Sequence, residues 1–328
     1  MIDIPFSNGK TYRLKNRWEE LTADEFRKEL NHIAKFMSGE LSLGMLRLLT
    51  FILLSGENIR LHPNKEISDH QAENMLRIAH QMTFMLRIEY ENAKSFSKLK
   101  KDIRDKLERY LPEELEETPE IRWAAKSAKT IVPDIVFAKN LIPVIGRRRH
   151  TFKGYSFDVD DNILITSLTT SQFIDAQTVA LEIEETGKES LLNLLVAILY
   201  SRSYYSSLEA GQVAKTLSWL DLETKKAIYV NFNAIQAYLT TCTKYSILFN
   251  SPVAEPVEAK HKLGLGTVAH SLIKSGYSDI DNSNLVKFFE IMYSDLVGNV
   301  VSLHKQGHNI DKISELTGLS ISKINQIL

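Results

Sequence analysis

The sequence NIDKISELTGLSISKINQIL, residues 309 to 328, predicts two short helices around a glycine-centred turn. Four aliphatic residues recur at helical spacing and would form a small shared core: Ile313, Leu319, Ile324 and Ile327. Ser314 is small enough to allow a close helix crossing, and Gly318 can adopt the positive φ that the turn requires. The segment therefore has the pattern of a helix-turn-helix.

This pattern makes DNA one candidate partner. The second helix would present hydroxyl and amide groups to base edges, and these come from Ser320, Ser322, Asn325 and Gln326. Lys312 and Lys323 would lie near phosphates, but each neutralised phosphate normally needs its own cation and the segment has few. The same helix packing also serves in protein–protein contacts or as a capping element. We favour this structural interpretation, and DNA binding stays the alternative.

Composition sets wider bounds. The length of 328 residues predicts two domains or one elongated helical domain, and a content of 44% hydrophobic and 25% charged residues is ordinary for a folded protein. A net charge of -1 gives no overall attraction to nucleic acid or to an anionic membrane. The single cysteine, Cys242, cannot form an internal disulfide and suits a reducing compartment. The apolar run from Leu43 to Leu54 is shorter than the ~20 residues that span a bilayer, so it predicts a buried core helix.

The N-terminus combines a hairpin with a helix start. Alternating apolar residues from Ile2 to Leu14 flank Asn8-Gly9, a pair that favours a two-residue type I′ turn. Thr22 and Glu25 then form the Thr-x-x-Glu capping box that begins a helix.

Helical patterns dominate the rest of the chain. A second capping box at Ser68–Gln71 predicts one long amphipathic helix that continues to Leu107. Short β-prone segments between Leu141 and Leu168 predict a second small antiparallel element. Later helices are expected over Thr170–Glu185, Glu189–Tyr200, Leu222–Phe249, Thr267–Lys274 and Leu285–Lys305, with a proline-containing linker at Ser251–Glu258.

These patterns predict a mainly α protein with a small N-terminal β-hairpin and a second short β element near residues 141–168. We expect three parts: residues 1–145 form a hairpin and a helical domain, 146–300 a β element and a second helical domain, and 301–328 the helix-turn-helix-like segment.

Two further segments are candidate sites. Asp279–Glu290 matches much of a calcium-binding loop, but Asn284 occupies the position where such loops have glycine, so we favour a helix start with Ser283 or Asp281 as its N-cap. Arg147, Arg148 and Arg149 form the most concentrated basic cluster, beside Phe152 and Tyr155, as nucleic-acid contacts often are. A solvated hairpin turn is the favoured interpretation of this cluster, and a partner surface is the second. No pattern identifies a cofactor, a metal site or a catalytic group.

Four segments resemble proteins of Bacteroidetes prophages and tailed phages. These segments, in chain order, are GKTYRLKNRWEELTADEFRK (9–28), LIPVIGRRRHTFKGYSF (141–157), SQFIDAQTVALE (171–182) and LLNLLVAILYSRS (191–203). The phage proteins that these segments resemble are tail assembly chaperones or neighbouring morphogenesis proteins. The matching residues form packing and capping patterns rather than catalytic motifs.

The resemblance implies a non-enzymatic protein that binds other phage structural or tail proteins. We expect it in the cytoplasm of the bacterial host or within the virion, with no membrane association. DNA binding through the C-terminal segment is the first alternative. An enzyme whose site is assembled from distant residues is the second.

Overall fold

The computed structural model describes residues 1–6, 9–56, 73–74, 77–78, 80–147, 150–161, 163–200, 205–249, 265–274, 277 and 279–328. Contacts divide the chain into two compact units, Met1–Ile135 and Val136–Leu328. Helices supply most of the described secondary structure, and each sheet in these ranges is two-stranded and antiparallel. The predicted mainly α class is confirmed.

Several predictions fall on residues outside the described ranges. These are the turn residue Asn8, the capping box Ser68–Gln71, two residues of the basic cluster, Arg148 and Arg149, and the linker Ser251–Glu258.

The first unit opens with the predicted hairpin, in which β1 (Ile2–Pro5) pairs with β2 (Thr11–Leu14). The Phe6 N–H donates to the Lys10 carbonyl (2.8 Å), and the Gly9 N–H donates to the Phe6 carbonyl (3.0 Å). Gly9 has φ +81°, a left-handed conformation that glycine adopts readily. The hairpin is confirmed, and the predicted turn at Asn8-Gly9 lies partly outside the described residues.

Two helices follow the hairpin. Helix α1 (Ala23–Met37) begins at the predicted capping box: the Glu25 N–H donates to Thr22 Oγ1 (3.3 Å), and the Thr22 N–H donates to Glu25 Oε2 (2.7 Å). Helix α2 (Leu43–Ser55) is the predicted apolar core helix and ends at Gly56, which has φ +68°. No helix in the described part of the chain is both long and apolar enough to cross a membrane.

The single long helix predicted to reach Leu107 is wrong. Strand β3 (Leu86–Tyr90) interrupts it and pairs with β4 (Lys129–Pro133). Residues of β3 alternate between buried and exposed, which is the period of a strand, and β-branched residues in both strands favour the pairing. Helical periodicity missed this because the partner strand lies far along the sequence. The described helices between the two strands are short: α3 (Ala93–Ser97), α4 (Lys101–Arg109) and α5 (Pro119–Lys126).

The second unit opens with two hairpins rather than the one β element expected. Strand β5 (Val144–Arg147) pairs with β6 (His150–Lys153), and β7 (Phe157–Asp160) pairs with β8 (Ile163–Thr166). The boundary expected near Gly146 falls within β5, inside this unit.

Helices complete the second unit, and those described lie near the predicted positions except Ser207–Ala214, which was not predicted. They are α6 (Thr170–Thr186), α7 (Leu191–Leu199), α8 (Ser207–Ala214), α9 (Leu222–Thr241), α10 (Leu265–Lys274), α11 (Leu285–Lys305), α12 (Ile310–Thr317) and α13 (Ile321–Ile327). The helix predicted to reach Phe249 ends at Thr241, and a 3-10 helix over Lys244–Leu248 follows it. Cys242 is exposed at the C-cap of α9.

Candidate functional site

The last three helices pack around a small apolar core. Its buried members are Val300 from α11, Ile313 from α12, Leu319 from the turn and Ile324 from α13. Ile327 is partly buried against the same cluster, as the helix-turn-helix pattern predicts. The packing of these aliphatic side chains fixes how α12 and α13 lie against α11.

The turn between α12 and α13 has the predicted geometry. Gly318 caps α12 with φ +70°, and its N–H donates to the Ser314 carbonyl. The Ser314 hydroxyl donates to the Leu319 carbonyl at 2.6 Å, which ties the end of α12 to the turn. Ser320 is the N-cap residue of α13 and is half-buried. A small hydroxyl and a left-handed glycine therefore give the turn its shape.

The outer surface of α13 carries three of the residues proposed to contact a partner. Ser322, Asn325 and Gln326 are exposed, whereas Ile324 points into the core. Aliphatic side chains share the outer surface of the last two helices: Leu316 is 53%, Ile321 48% and Leu328 47% exposed. Ile321, Asn325 and Leu328 recur at helical spacing, so they lie on one side of α13. We call Leu316, Ile321, Asn325 and Leu328, with the adjacent Ser322 and Gln326, the C-terminal face.

The two lysines of this segment are both engaged within the protein. Lys312 Nζ lies 2.8 Å from Glu315 Oε2, one turn along α12. Lys323 Nζ donates to the Ser246 carbonyl at 3.4 Å, and burial lowers the pKa of its ammonium group. Asp311 and Glu315 balance these two cations, so residues 309–328 carry no net charge. A surface without surplus positive charge attracts phosphates weakly.

Arginine is distributed unfavourably for a DNA-binding role of the C-terminal helices. No arginine follows Arg202 in the sequence, so none can make the bidentate contacts to guanine that are common in specific DNA readout. The structure places Arg147 at the end of β5, opposite His150, and therefore on a different element from α12 and α13.

The calcium-loop candidate is arranged as a helix start. Asn284 caps α11 and accepts from the Val286 N–H at 2.9 Å. Asp279 Oδ1 accepts from Asn282 Nδ2 (2.8 Å), whereas Glu290 is bound to Lys244 Nζ (2.6 Å) one and a half turns into α11. The predicted helix start is confirmed, but the cap predicted at Ser283 or Asp281 is wrong, because Asn284 is the N-cap residue. Within the described ranges, no group of three or more His, Cys, Asp or Glu side chains is placed to hold a metal ion.

A network of buried polar side chains, missed in the sequence, holds the segment before β5 to α9, to Tyr200 at the end of α7 and to the connection between β6 and β7. Asn231 of α9 is 1% exposed; its Oδ1 accepts from the Leu141 N–H (2.8 Å) and its Nδ2 donates to the Lys139 carbonyl (2.9 Å). Asn140 Nδ2 donates to the Tyr155 carbonyl (2.7 Å), and the Tyr200 hydroxyl donates to the Ile142 carbonyl (2.5 Å). These side chains supply hydrogen bonds to backbone groups in the interior of the unit.

A cavity of about 670 Å³ lies beside this network. Its described lining includes Lys153, Gln172, Tyr205 and Asp279. The Tyr205 hydroxyl donates to Asp175 Oδ2 at 2.5 Å, and burial raises the pKa of this phenol, which keeps it protonated. Gln172 Nε2 donates to the Ile198 carbonyl (2.7 Å). The Tyr205 hydroxyl and the Gln172 amide thus form hydrogen bonds within the protein, and these bonds stabilise the wall of the cavity.

Comparisons with protein-family models, with curated proteins and with solved structures found no match for this chain.

Proposed function

We propose that the protein acts through protein–protein contacts, and that the C-terminal face is one of its docking surfaces. The observation that carries the proposal is that this face exposes aliphatic side chains, whereas the two lysines of the segment are already bonded to Glu315 and to the Ser246 carbonyl. Apolar anchors surrounded by amide and hydroxyl groups are typical of a protein interface, whereas DNA contact requires surplus positive charge.

The energetics favour a protein partner. Leu316, Ile321 and Leu328 each expose about half of their surface, and burying an aliphatic side chain fully contributes ~1.5–3 kcal/mol. Three half-exposed anchors therefore supply several kcal/mol, before the costs of association. Ser322, Asn325 and Gln326 can add hydrogen bonds at the rim.

The biological setting that we propose is the assembly of a tailed phage or prophage particle. Its support is the ordered resemblance of four segments between residues 9 and 203 to tail assembly chaperones or neighbouring morphogenesis proteins. In this proposal the protein is not an enzyme; it binds other phage structural or tail proteins in the host cytoplasm and stays with the particle or is released from it.

The first experiment is affinity purification of tagged full-length protein from cells that express the neighbouring genes. It is performed at low and at moderate salt, and the bound material is identified by mass spectrometry. Recovery of one tail or capsid protein at both salt concentrations is the expected result, because apolar contacts are insensitive to screening. Recovery of nucleic acid alone, lost as salt rises, contradicts the proposal.

DNA binding is the second candidate function, because Ser322, Asn325 and Gln326 are exposed on the second helix of a helix-turn-helix arrangement. Gel shifts with duplex DNA over a range of salt concentrations test it. Binding that Asn325→Ala and Gln326→Ala weaken, with a salt slope of about −0.9 per phosphate contacted, favours this alternative.

A further inference from the structure

A short segment of the first unit concentrates positive charge. Its sequence AKSFSKLKK, residues 93–101, contains four lysines and no acidic residue. All four are exposed, and they are Lys94, Lys98, Lys100 and Lys101. Glu91 and Asp102 border the segment, so it keeps a surplus of positive charge. The segment joins α3 to the start of α4, and every residue of it lies within the described ranges.

Apolar side chains between the lysines hold this segment against the fold. Phe96 and Leu99 are partly buried against the core cluster that contains Tyr90. The rings of Tyr90 and Phe96 stack with their centroids 5.1 Å apart, and the Leu99 N–H donates to the Phe96 carbonyl at 3.1 Å. The lysines alternate with these anchors along the sequence. The packing of Phe96 and Leu99 toward the core therefore keeps the ammonium groups together on the surface.

A fifth lysine lies close to the start of α3. The Glu91 N–H donates to the Ala128 carbonyl at 3.1 Å, which places the residues that follow α5 beside those that precede α3. Lys126, in the last turn of α5, is exposed. We call this group of five side chains the lysine surface: Lys94, Lys98, Lys100, Lys101 and Lys126.

Ion pairing within the protein does not explain the lysine surface. Nearby cations of the same unit are paired: Arg122 Nε lies 2.7 Å from Glu117 Oε1, and Lys129 Nζ lies 2.8 Å from Glu113 Oε1. The five lysines, by contrast, form no ion pair with any residue that the structure describes. Lys101 also lies in the first turn of α4, where the helix dipole disfavours a cation. The stability of the fold thus gives no reason for gathering these charges.

We propose that the lysine surface binds the phosphate backbone of nucleic acid, independently of base sequence. A lysine ammonium group acts as a point charge on a phosphate, and each phosphate that is neutralised releases condensed counterions, which drives the association. The net charge of -1 does not prevent this contact. Charges further apart than ~8 Å are largely screened at physiological ionic strength, so the local surplus decides.

The observations favour nucleic acid over a membrane or an acidic protein. Stable attachment of a basic surface to a bilayer needs an apolar anchor as well, and Phe96 and Leu99 of this segment pack toward the core instead. Protein interfaces are depleted in lysine. Duplex DNA presents one negative charge per ~1.7 Å of its axis, which suits several neighbouring cations.

This site is separate from the C-terminal face. It lies in the first unit, Met1–Ile135, whereas the C-terminal face and the alternative DNA contact of α13 belong to the second. The inference therefore goes beyond the proposed function and does not depend on it.

The test measures binding of the full-length protein to fluorescently labelled DNA of random sequence, both single-stranded and duplex. Anisotropy gives the affinity over a range of salt concentrations. We expect the logarithm of the affinity for duplex to fall with the logarithm of salt concentration with a slope of about −3 to −4, as for four phosphate contacts. Lys94→Gln with Lys98→Gln and Lys101→Gln should weaken binding at low salt at least ~10-fold and reduce the slope by about 2 to 3.

A matched variant removes the same charge from scattered positions. Lys188→Gln with Lys215→Gln and Lys305→Gln changes three exposed lysines of the second unit that are far apart in the sequence, and it should bind DNA like the original protein. Circular dichroism checks that both variants are folded. An original protein that does not bind DNA overturns the proposal, as does equal weakening by the clustered and the scattered substitutions. Binding to vesicles of phosphatidylcholine and phosphatidylserine in place of DNA overturns it as well.

A last pair of measurements separates the lysine surface from the C-terminal helices. Asn325→Ala with Gln326→Ala should leave DNA binding unchanged, and loss of binding in this variant alone assigns the contact to α13 and overturns the proposal. Capture of the tail or capsid protein should be unaffected by the three clustered substitutions. Failure of the lysine surface and failure of the C-terminal face are therefore observed in different experiments.

Discussion

Two of the asparagines on helices of the second unit, Asn231 and Asn325, lie in opposite environments. Asn231 of α9 is buried, and both polar atoms of its side chain form hydrogen bonds with backbone groups of residues 139 and 141. Asn325 of α13 is exposed beside Ile321 and Leu328. The comparison teaches that residue type alone does not indicate function. A buried, fully bonded amide stabilises the fold, whereas an exposed amide among exposed aliphatic groups is available to a partner.

The largest expected effect tests the buried member of this pair. Asn231→Ala removes the side-chain hydrogen bonds to the Leu141 N–H and the Lys139 carbonyl, and we expect it to lower the free energy of unfolding by ~2–4 kcal/mol. Chemical denaturation measures this change. Asn325→Ala is the matched control and should change stability by less than ~0.5 kcal/mol. Equal effects at the two positions would remove the distinction between scaffold and docking surface.

A smaller effect tests the turn that presents the C-terminal face. Gly318 has φ +70° with no atom within 4 Å of an added Cβ, so Gly318→Ala costs only backbone strain, about 1–2 kcal/mol. Gly298 lies within α11 with equally free space, and Gly298→Ala should instead stabilise by ~0.5–1 kcal/mol. Thermal unfolding shows whether each substitution raises or lowers the stability of the protein. A change in the same direction for both variants contradicts a left-handed turn at Gly318.

The smallest effect concerns the other end of α11, where Glu290 ties this helix to the 3-10 helix. Hydrogen bonding to Lys244 holds the pKa of the Glu290 carboxyl below its usual value of 4.5. Because this pKa is lower in the folded than in the unfolded protein, the ionised carboxylate stabilises the fold above pH 4.5. This contribution is lost as the pH falls through the folded pKa. Both side chains are partly exposed, so Glu290→Gln should cost less than about 1 kcal/mol at neutral pH.

Denaturation at neutral pH and below pH 4.5 measures the Glu290 effect. The difference between Glu290→Gln and the original protein should shrink toward acid. A difference that grows with acidity contradicts the assigned ion pair.

Local signals in the sequence predicted much of the fold. The capping box at Thr22, the left-handed Gly318 and the apolar periodicity of α11 depend on neighbouring residues alone, so these elements appear where expected. The strand β3 was missed because its stability comes from β4, which lies far along the chain. The apolar residues from Leu86 onward also fit the spacing of a helix face. Pairing with the distant β4 makes this segment a strand instead.

In the candidate site, too, features set by neighbouring residues could be predicted, whereas contacts with distant elements could not. Helical spacing correctly separated the core residues Ile313 and Ile324 from the exposed Asn325 and Gln326. It could not show that Lys323 reaches the Ser246 carbonyl, since that partner belongs to another element. The sequence did contain a signal for the burial of Asn231, because this polar residue lies at helical spacing from the apolar residues Ala227, Ile228 and Ile235. Its backbone partners, however, could not be found without the fold.

The most direct test of the central claim compares partner capture by two full-length variants. Leu316→Asp with Ile321→Asp places charge on the C-terminal face, whereas Leu208→Asp alters a 75% exposed leucine on α8. We predict that the tail or capsid protein captured by the original chain is lost at least ~10-fold with the first variant and is captured normally with the second, while both unfold like the original. Equal capture by both variants would contradict the assignment of this face as a docking surface.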